Sequence, residues 1–249
     1  SQPLLKHLLP YDLDRNMELL GVYGACFKIA ILMSLFIQAF NYAAEPFFFN
    51  QAKRTDARDI YAQVGQAFAL VGSLVFLGIL LYLDIIQHLI GKDFREGLEV
   101  VPILLLAFFC LGLYYNFSIW YKLKDRTIFG AYISVGGAII TLVLNFWLIP
   151  VLELSGAAWS ALACYAFMAA ASYFTGRYYY PIAYPIGRIL LYIGGAIGAY
   201  FVSLWVRNTF APGLLVILLV NTLILGIYLL GIYRLERTTL NALFVSKSK

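Results

Sequence analysis

The stretch from Leu98 to Trp120 reads LEVVPILLLAFFCLGLYYNFSIW, and this run decides the class of fold. Its only charged side chain is Glu99, one residue from the start. Because an α-helix rises about 1.5 Å per residue, about 20 apolar residues are needed to cross a hydrocarbon core about 30 Å thick. The stretch is long enough, and it therefore predicts a transmembrane helix.

Similar apolar runs follow one another along the whole chain. Of the 249 residues, 62% are hydrophobic and 12% are charged, with a mean hydropathy of +0.81. Soluble domains are about 45–50% apolar and about 25% charged, so a soluble fold is excluded. We predict an all-α membrane protein, a bundle of about seven transmembrane helices. The other six predicted spans are Leu19–Phe49, Ile60–Ile90, Phe129–Val151, Gly156–Tyr179, Ile186–Val206 and Pro212–Tyr233.

Several classes of function find no support in the residues. The basic side chains are scattered at helix ends rather than along one stripe, which argues against nucleic acid despite the net charge of +5. The three cysteines lie inside apolar runs, and neither histidine has ligand-spaced neighbours, so no metal or other cofactor is predicted. No phosphate-binding glycine loop and no Ser, His and Asp constellation is present, and an enzyme is disfavoured.

The orientation follows from the distribution of Lys and Arg, which are enriched in short cytoplasmic loops. The outer side receives only Lys6, Arg15, Lys92, Arg95 and Arg207. The cytoplasmic side, and the C-terminus with it, receives Lys53, Arg54, Arg58, Lys122, Lys124, Arg126, Arg177, Arg188, Arg234, Arg237, Lys247 and Lys249. Seven spans then leave Ser1 outside without a signal-like segment to deliver it, so we expect further helices upstream.

Aromatic clusters fit the same orientation. Phe47 to Phe49, Trp120 with Tyr121, and Tyr178 to Tyr180 all fall at the predicted cytoplasmic ends. Trp159 and Trp205 fall toward the outer ends. Aromatic rings of this kind are enriched at membrane–water interfaces, so we assign them an anchoring role.

The candidate site consists of polar residues in the first span. Lys28 lies among apolar neighbours, where a lysine costs roughly 2.5–3.5 kcal/mol on insertion scales. Ser34, Gln38, Asn41 and Glu45 fall within roughly a 60° arc of the same helix, as expected for a wet cavity. Lys28 could border that cavity and offer a cation to an anionic headgroup. Two alternatives remain open: a carboxylate on one of the expected upstream helices pairs with Lys28 and only locks the bundle, or the polar row forms helix-to-helix hydrogen bonds.

Four polar residues in the later spans are secondary candidates. They are predicted to form interhelical hydrogen bonds more readily than ligand contacts. These residues are Gln63, Gln66, Asn116 and Asn145.

Three segments carry a resemblance to a known family. The helix Asn145–Pro150, its proline break and the Gly-Ala-rich run Gly156–Leu162 are similar to a pattern in polysaccharide flippases. Residues Ile37–Phe49 resemble the end of the first helix pair in the C-terminal lobe of that family, and Asn116–Thr127 resembles its third-to-fourth helix junction. These flippases belong to the multidrug/oligosaccharidyl-lipid/polysaccharide exporter superfamily, and the resemblance covers essentially the whole chain.

The resemblance implies an architecture of fourteen helices in two six-helix lobes with two extra C-terminal helices. On this mapping, residues 1–180 are part of the C-terminal lobe with five transmembrane helices. Residues 181–237 are the two additional helices, and residues 238–249 are a cytoplasmic tail. The partner that this mapping implies is the N-terminal lobe of the same protein, upstream of residue 1.

The resemblance also implies a function. Such proteins move polyprenyl diphosphate-linked oligosaccharides across the bacterial inner membrane by alternating access, in polysaccharide or lipopolysaccharide biosynthesis, beside glycan polymerases and glycosyltransferases. Lys28 and the row ending at Glu45 would line the cavity of this lobe. The scarcity of intramembrane arginine departs from the expected pattern and leaves most of the cationic charge to the other lobe. A drug or cation antiporter and a non-transporting scaffold remain as alternatives.

Overall fold

The computed structural model describes the backbone of residues 2–210 and 213–246 and the side chains of residues 5–210 and 213–237. Every regular element in these ranges is a helix. The α-helices are α1 (Gln2–Leu8), α2 (Leu13–Gln51), α3 (Ala57–Leu81), α4 (Leu83–Ile86), α5 (Val101–Phe117), α6 (Ile119–Leu123), α7 (Ile128–Tyr179), α8 (Ile186–Phe210) and α9 (Leu214–Ser246). Two 3₁₀ segments, Gln87–Leu89 and Lys92–Val100, connect α4 to α5.

Six helical segments in the described part of the chain are long and apolar enough to cross a membrane. They are Leu13–Gln51, Ala57–Leu81, Lys92–Leu123, Ile128–Tyr179, Ile186–Phe210 and Leu214–Arg237. A helical bundle satisfies every backbone hydrogen bond within each segment, which is the condition for crossing hydrocarbon. The chain is therefore an all-α, multi-pass membrane protein, as the composition predicts.

The shortest predicted separation between spans, from Val151 to Gly156, lies inside α7, which has 52 residues. Glu153, with φ 51° and ψ −124°, breaks the helical backbone, and Tyr11 donates a hydrogen bond to its carboxylate. A Cβ atom at Gly156 would lie 2.4 Å from the carbonyl oxygen of Leu148, so only glycine permits this approach. The chain thus folds back on itself at Glu153, within the proline and glycine break that the sequence predicts.

The two arms of α7 run antiparallel from this turn. A Cβ atom at Gly137 would lie 2.9 Å from the side chain of Met168, and one at Gly136 would lie 3.0 Å from the ring of Phe167. Such close approach of helix backbones at small residues is typical of helix pairs in membranes. The arms, residues 128–152 and 154–179, correspond to the predicted spans Phe129–Val151 and Gly156–Tyr179.

One predicted helix boundary is wrong. The span predicted as Ile60–Ile90 ends at Leu81, because the backbone turns at Tyr82 and the next residues form short helical pieces. The predicted span Leu98–Trp120 lies within the helical segment Lys92–Leu123. That segment begins as a 3₁₀ helix, becomes an α-helix at Val101 and is interrupted at Ser118, whose hydroxyl donates to the carbonyl of Tyr115.

Helix α5 occupies the centre of the bundle and packs against α2, α3 and α7, where its Phe108 ring lies near Tyr165 in the second arm. The ring of Phe68 in α3 fits against Gly112 and stacks near Phe109, both in α5. Helix α8 packs along α3, and α9 contacts both of them. The predicted segment 181–237 is therefore packed onto the remaining helices through α3.

Helices occur near both ends of the described chain. The short helix α1 was not predicted, and the side chain of Asn16 joins it to α2 by bonding the carbonyls of Lys6 and Leu9. At the other end, the backbone of α9 stays helical to Ser246, so most of the predicted tail 238–249 continues the last helix. Residues 247–249 of that tail lie outside the described residues.

Candidate functional site

One face of α2 carries a continuous exposed row of side chains, which we name the α2 stripe. Its members are spaced alternately by three and four residues and therefore share one side of the helix. They are Lys28, Ile31, Leu35, Gln38, Tyr42 and Glu45, and all are exposed. Polar groups on the α2 stripe thus point away from the helices with which α2 packs.

Lys28 opens onto a cleft between α2 and the connection that follows α4. The cleft has a volume of about 630 Å³ and is walled by Gly21, Gly24, Gly91 and Phe94, among others. Small residues on α2 and the glycine of the connection leave this space open. Among the described residues, the Lys28 ammonium has no ion pair or hydrogen bond. The cleft thus holds a cation whose charge no described group balances.

The predicted polar row on α2 lies apart from this cleft. Gln38 donates to the hydroxyl of Ser34 at 3.2 Å, and Asn41 is half-buried. Glu45 accepts from Lys122 of α6 at 2.8 Å, an ion pair that is exposed to solvent on both sides. The structure therefore places Lys28, Gln38 and Glu45 on one face of α2 but does not bring the row into the cleft that Lys28 lines.

The secondary candidates fall into different environments. Gln63 is exposed and has no hydrogen bond among the described residues. The Asn116 amide donates to Gly112 at 3.0 Å in its own helix, so the predicted interhelical bond is not formed by its side chain. Asn145 is completely buried, and neither of its side-chain polar atoms has a described partner. No shared site connects these residues.

Gln66 belongs to a buried network that the sequence did not predict, which we name the C-terminal polar network. Its amide donates to the hydroxyl of Tyr192 at 3.0 Å and to the carboxylate of Glu236 at 3.1 Å. Tyr192 donates to the same carboxylate at 2.5 Å, and Arg188 lies 3.5 Å from it. Glu236 is only 6% exposed. The network joins α3, α8 and α9.

The sequence held one signal for this network. Gln66 lies inside an apolar helix and requires a hydrogen-bonding partner, because unsatisfied amides are costly in hydrocarbon. Glu236, in contrast, lies in the polar run Tyr233–Arg237 and looks like an ordinary helix-end charge. The pairing depends on how α9 packs against α3, which is not visible in either segment alone.

A second set of contacts joins the same three helices at their other ends. Asn221 of α9 donates to the carbonyl of Leu81 at 2.6 Å and accepts from Ser203 of α8 at 2.6 Å. Arg207 of α8 forms an ion pair with Asp84, in which its Nη1 donates to Oδ1 at 2.8 Å. The side chain of Asp84 is 17% exposed and is held by Arg207. Both ends of α8 and α9 are thus fastened to the α3 region.

The described ranges contain no cluster of side chains suited to binding a metal ion. No group of three or more His, Cys, Asp or Glu side chains that could hold an ion occurs there. The geometry offers instead an exposed cationic cleft on α2 and a buried carboxylate network among α3, α8 and α9.

Comparisons with known protein families, with curated proteins and with solved structures found no match. The resemblance to polysaccharide flippases therefore stays a prediction from the sequence.

Proposed function

We propose that this chain is the C-terminal part of a flippase, a membrane transporter that moves lipid-linked oligosaccharides across the bacterial inner membrane by alternating access. The observation that carries the proposal is Lys28, an unbalanced cation that opens onto a cleft of about 630 Å³ within an apolar helix. The substrate would be a polyprenyl diphosphate-linked oligosaccharide, whose diphosphate supplies the missing negative charge.

The proposed topology has seven crossings and a cytoplasmic C-terminus. Counting the two arms of α7 separately raises the six continuous segments to seven. Cations that the sequence assigns to the cytoplasm cluster at one end of the bundle: Lys122 lies beside Glu45, and Arg58 and Lys124 approach the same ring of Tyr180. This clustering supports the orientation given by the positive-inside rule.

The exposed α2 stripe supports a larger assembly. It mixes Lys28, Gln38 and Glu45 with Ile31, Leu35 and Tyr42, a pattern suited neither to pure lipid contact nor to pure water contact. A second lobe facing this stripe would enclose a partly aqueous cavity. The charged headgroup would cross through the cavity while the polyprenyl chain stays in lipid.

The test is leaflet-resolved measurement of lipid-linked oligosaccharide in cells from which the full-length gene is deleted. We expect the oligosaccharide to accumulate on the cytoplasmic leaflet and to be cleared by the wild-type protein. Lys28→Ala, produced at equal abundance, should fail to clear it, because the headgroup loses its cation. Lys53→Ala is the matched control, since it removes an exposed lysine from the turn after α2 and should clear the lipid normally.

Two results would count against the proposal. Absence of accumulation in the deletion strain would remove the glycolipid substrate and favour an antiporter or a scaffold. Normal clearance by Lys28→Ala would remove the observation that carries the proposal, because Lys28 would then not bind the headgroup.

A cation-coupled drug antiporter is a second candidate, and the buried Glu236 favours it. An antiporter requires a buried acidic group for ion coupling, and intramembrane carboxylates commonly serve this role. Glu236→Gln keeps the size of the side chain but removes its charge. Loss of cation-driven efflux in this variant, together with unchanged oligosaccharide distribution in the deletion strain, would support the antiporter.

A further inference from the structure

Two cations from distant parts of the chain meet at one aromatic ring. The guanidinium carbon of Arg58, at the start of α3, lies 4.8 Å from the centroid of the Tyr180 ring. The ammonium of Lys124, which follows α6, lies 5.2 Å from the same centroid. Next to them, Arg126 lies 5.0 Å from the ring of Tyr179. We name these five residues the tyrosine–cation cluster.

The backbone holds both sides of the cluster in place. The amide of Tyr180 caps α7 by bonding the carbonyl of Gly176 at 2.8 Å. On the other side, Asp125 adopts a φ of 53°, and the amide of Arg126 bonds the carbonyl of Tyr121 at 2.8 Å. This tight turn after α6 directs Lys124 and Arg126 toward the end of α7. The end of α7 and the turn after α6 therefore fix the backbone positions of Tyr180, Lys124 and Arg126.

The segment that carries Tyr180 is anchored on its other side as well. The hydroxyl of Tyr184 donates to the carbonyl of Asn116 at 3.0 Å, and its ring packs edge-on against Phe117. Burial raises the pKa of the Tyr184 phenol, so it remains a protonated donor. The connection between α7 and α8 thus keeps Tyr180 at a fixed level of the bundle.

The three cations of the cluster have no carboxylate partner in the part of the chain that the structure describes. Arg58, Lys124 and Arg126 form none of the observed ion pairs, although Asp59 and Asp125 are their sequence neighbours. The neighbouring cations Arg54 and Lys122, in contrast, are paired with Asp56 and Glu45. Positive charges without a counter-ion attract anions. Tyrosines are enriched at the membrane–water interface, so we expect the cluster to lie at that level.

We propose that the tyrosine–cation cluster binds the phosphate of an anionic lipid headgroup at the surface of the membrane. Arginine and lysine donate charge-assisted hydrogen bonds to phosphate oxygens, and tyrosines at the interface hold the cations over their rings. The lipid bridges the start of α3, the end of α6 and the end of α7. This site is separate from the Lys28 cleft and does not depend on transport activity.

The test measures phospholipid adducts on the purified full-length protein by native mass spectrometry, with dioleoylphosphatidylglycerol and dioleoylphosphatidylcholine as probes. The wild-type protein should retain the glycerol lipid in preference to the choline lipid. Arg58→Gln combined with Lys124→Gln should weaken phosphatidylglycerol binding by roughly thirtyfold, because each cation near an anionic surface contributes about a fivefold factor. A Tyr180→Phe variant keeps the ring and should bind like the wild type.

The matched control is Arg234→Gln combined with Arg237→Gln. It removes the same charge from exposed positions of α9 and should leave the preferred adduct nearly unchanged. An equal loss in the control would overturn the proposal and indicate attraction by net charge alone. Displacement of phosphatidylglycerol by inorganic phosphate at millimolar concentration would also overturn it, because the site would then be a free-phosphate site.

Discussion

The α2 stripe and the C-terminal polar network contain similar side chains but differ in how those side chains are bonded. In the network, Gln66, Tyr192 and Glu236 bond one another within 3.1 Å across three helices. On the α2 stripe, Lys28 has no described partner, and Gln38 bonds only Ser34 in its own helix. Polar groups that satisfy one another stabilise helix packing, whereas polar groups left open at membrane depth are available for a ligand or another helix.

The largest expected effect concerns the open cation of the α2 stripe. Lys28→Met should make insertion of α2 more favourable by roughly 2.5–3.5 kcal/mol, because methionine removes a charge from the apolar helix. The free energy of unfolding of the full-length protein should change by less than about 0.5 kcal/mol, because no partner is lost. A translocon insertion assay measures the first quantity, and titration with a denaturing detergent measures the second.

The same variant distinguishes an open cation from a structural ion pair. If a carboxylate on another helix holds Lys28, its removal leaves a buried charge and should lower the free energy of unfolding by roughly 3–5 kcal/mol. Ile31→Met is the matched control on the same face of α2. A large drop in the free energy of unfolding for Lys28→Met, but not for Ile31→Met, would show that Lys28 has a structural partner. The α2 stripe would then stabilise packing as the network does.

The next effect in size concerns the buried carboxylate. Glu236→Ala should lower the free energy of unfolding by about 2 kcal/mol, because the buried hydroxyl of Tyr192 and the amide of Gln66 lose their acceptor. Glu45→Ala breaks the exposed pair with Lys122 and should cost less than about 1 kcal/mol. Detergent titration of both variants measures the difference. Equal costs would show that the network does not stabilise the packing of α8 and α9.

The sequence predicts the helices of this fold better than their ends. Apolar runs locate each long helix, and Pro150 with Gly156 correctly marks the break at which α7 reverses. The run from Ile60 to Ile90 is apolar throughout most of its length, yet the helix ends at Leu81. Its last residues bend where Asp84 meets Arg207 of α8, a contact between distant segments that no local pattern contains.

The candidate site divides in the same way. Lys28 can be identified from the sequence because the cost of a charge in an apolar helix is a local property. The cleft it faces could not be predicted, because Gly91 and Phe94 reach α2 through the packing of a separate connection. Glu236 looks solvated in the sequence and is buried only through its contacts with α3 and α8. Local composition thus gives the residue, and tertiary packing gives its surroundings.

The smallest expected effect compares two amides of similar chemistry. Asn221→Leu should lower the free energy of unfolding by about 1 kcal/mol, because it removes the bonds to the Leu81 carbonyl and to Ser203. Gln38→Leu on the α2 stripe should change it by less than about 0.5 kcal/mol, because Gln38 is exposed and bonds only Ser34. Detergent titration of the two variants under identical conditions resolves the difference.

The two leucine variants should also differ in oligosaccharide clearance, which provides a second comparison of the α2 stripe with the helices α8 and α9. Gln38→Leu makes the α2 stripe more apolar where the proposed cavity needs water, so it should slow oligosaccharide clearance while the protein stays stable. Asn221→Leu should leave clearance intact in the fraction of protein that remains folded. A stable Gln38→Leu protein with full clearance, measured per folded molecule, would contradict the assignment of this part of the α2 stripe to the cavity. The transport path would then be restricted to the cleft at Lys28.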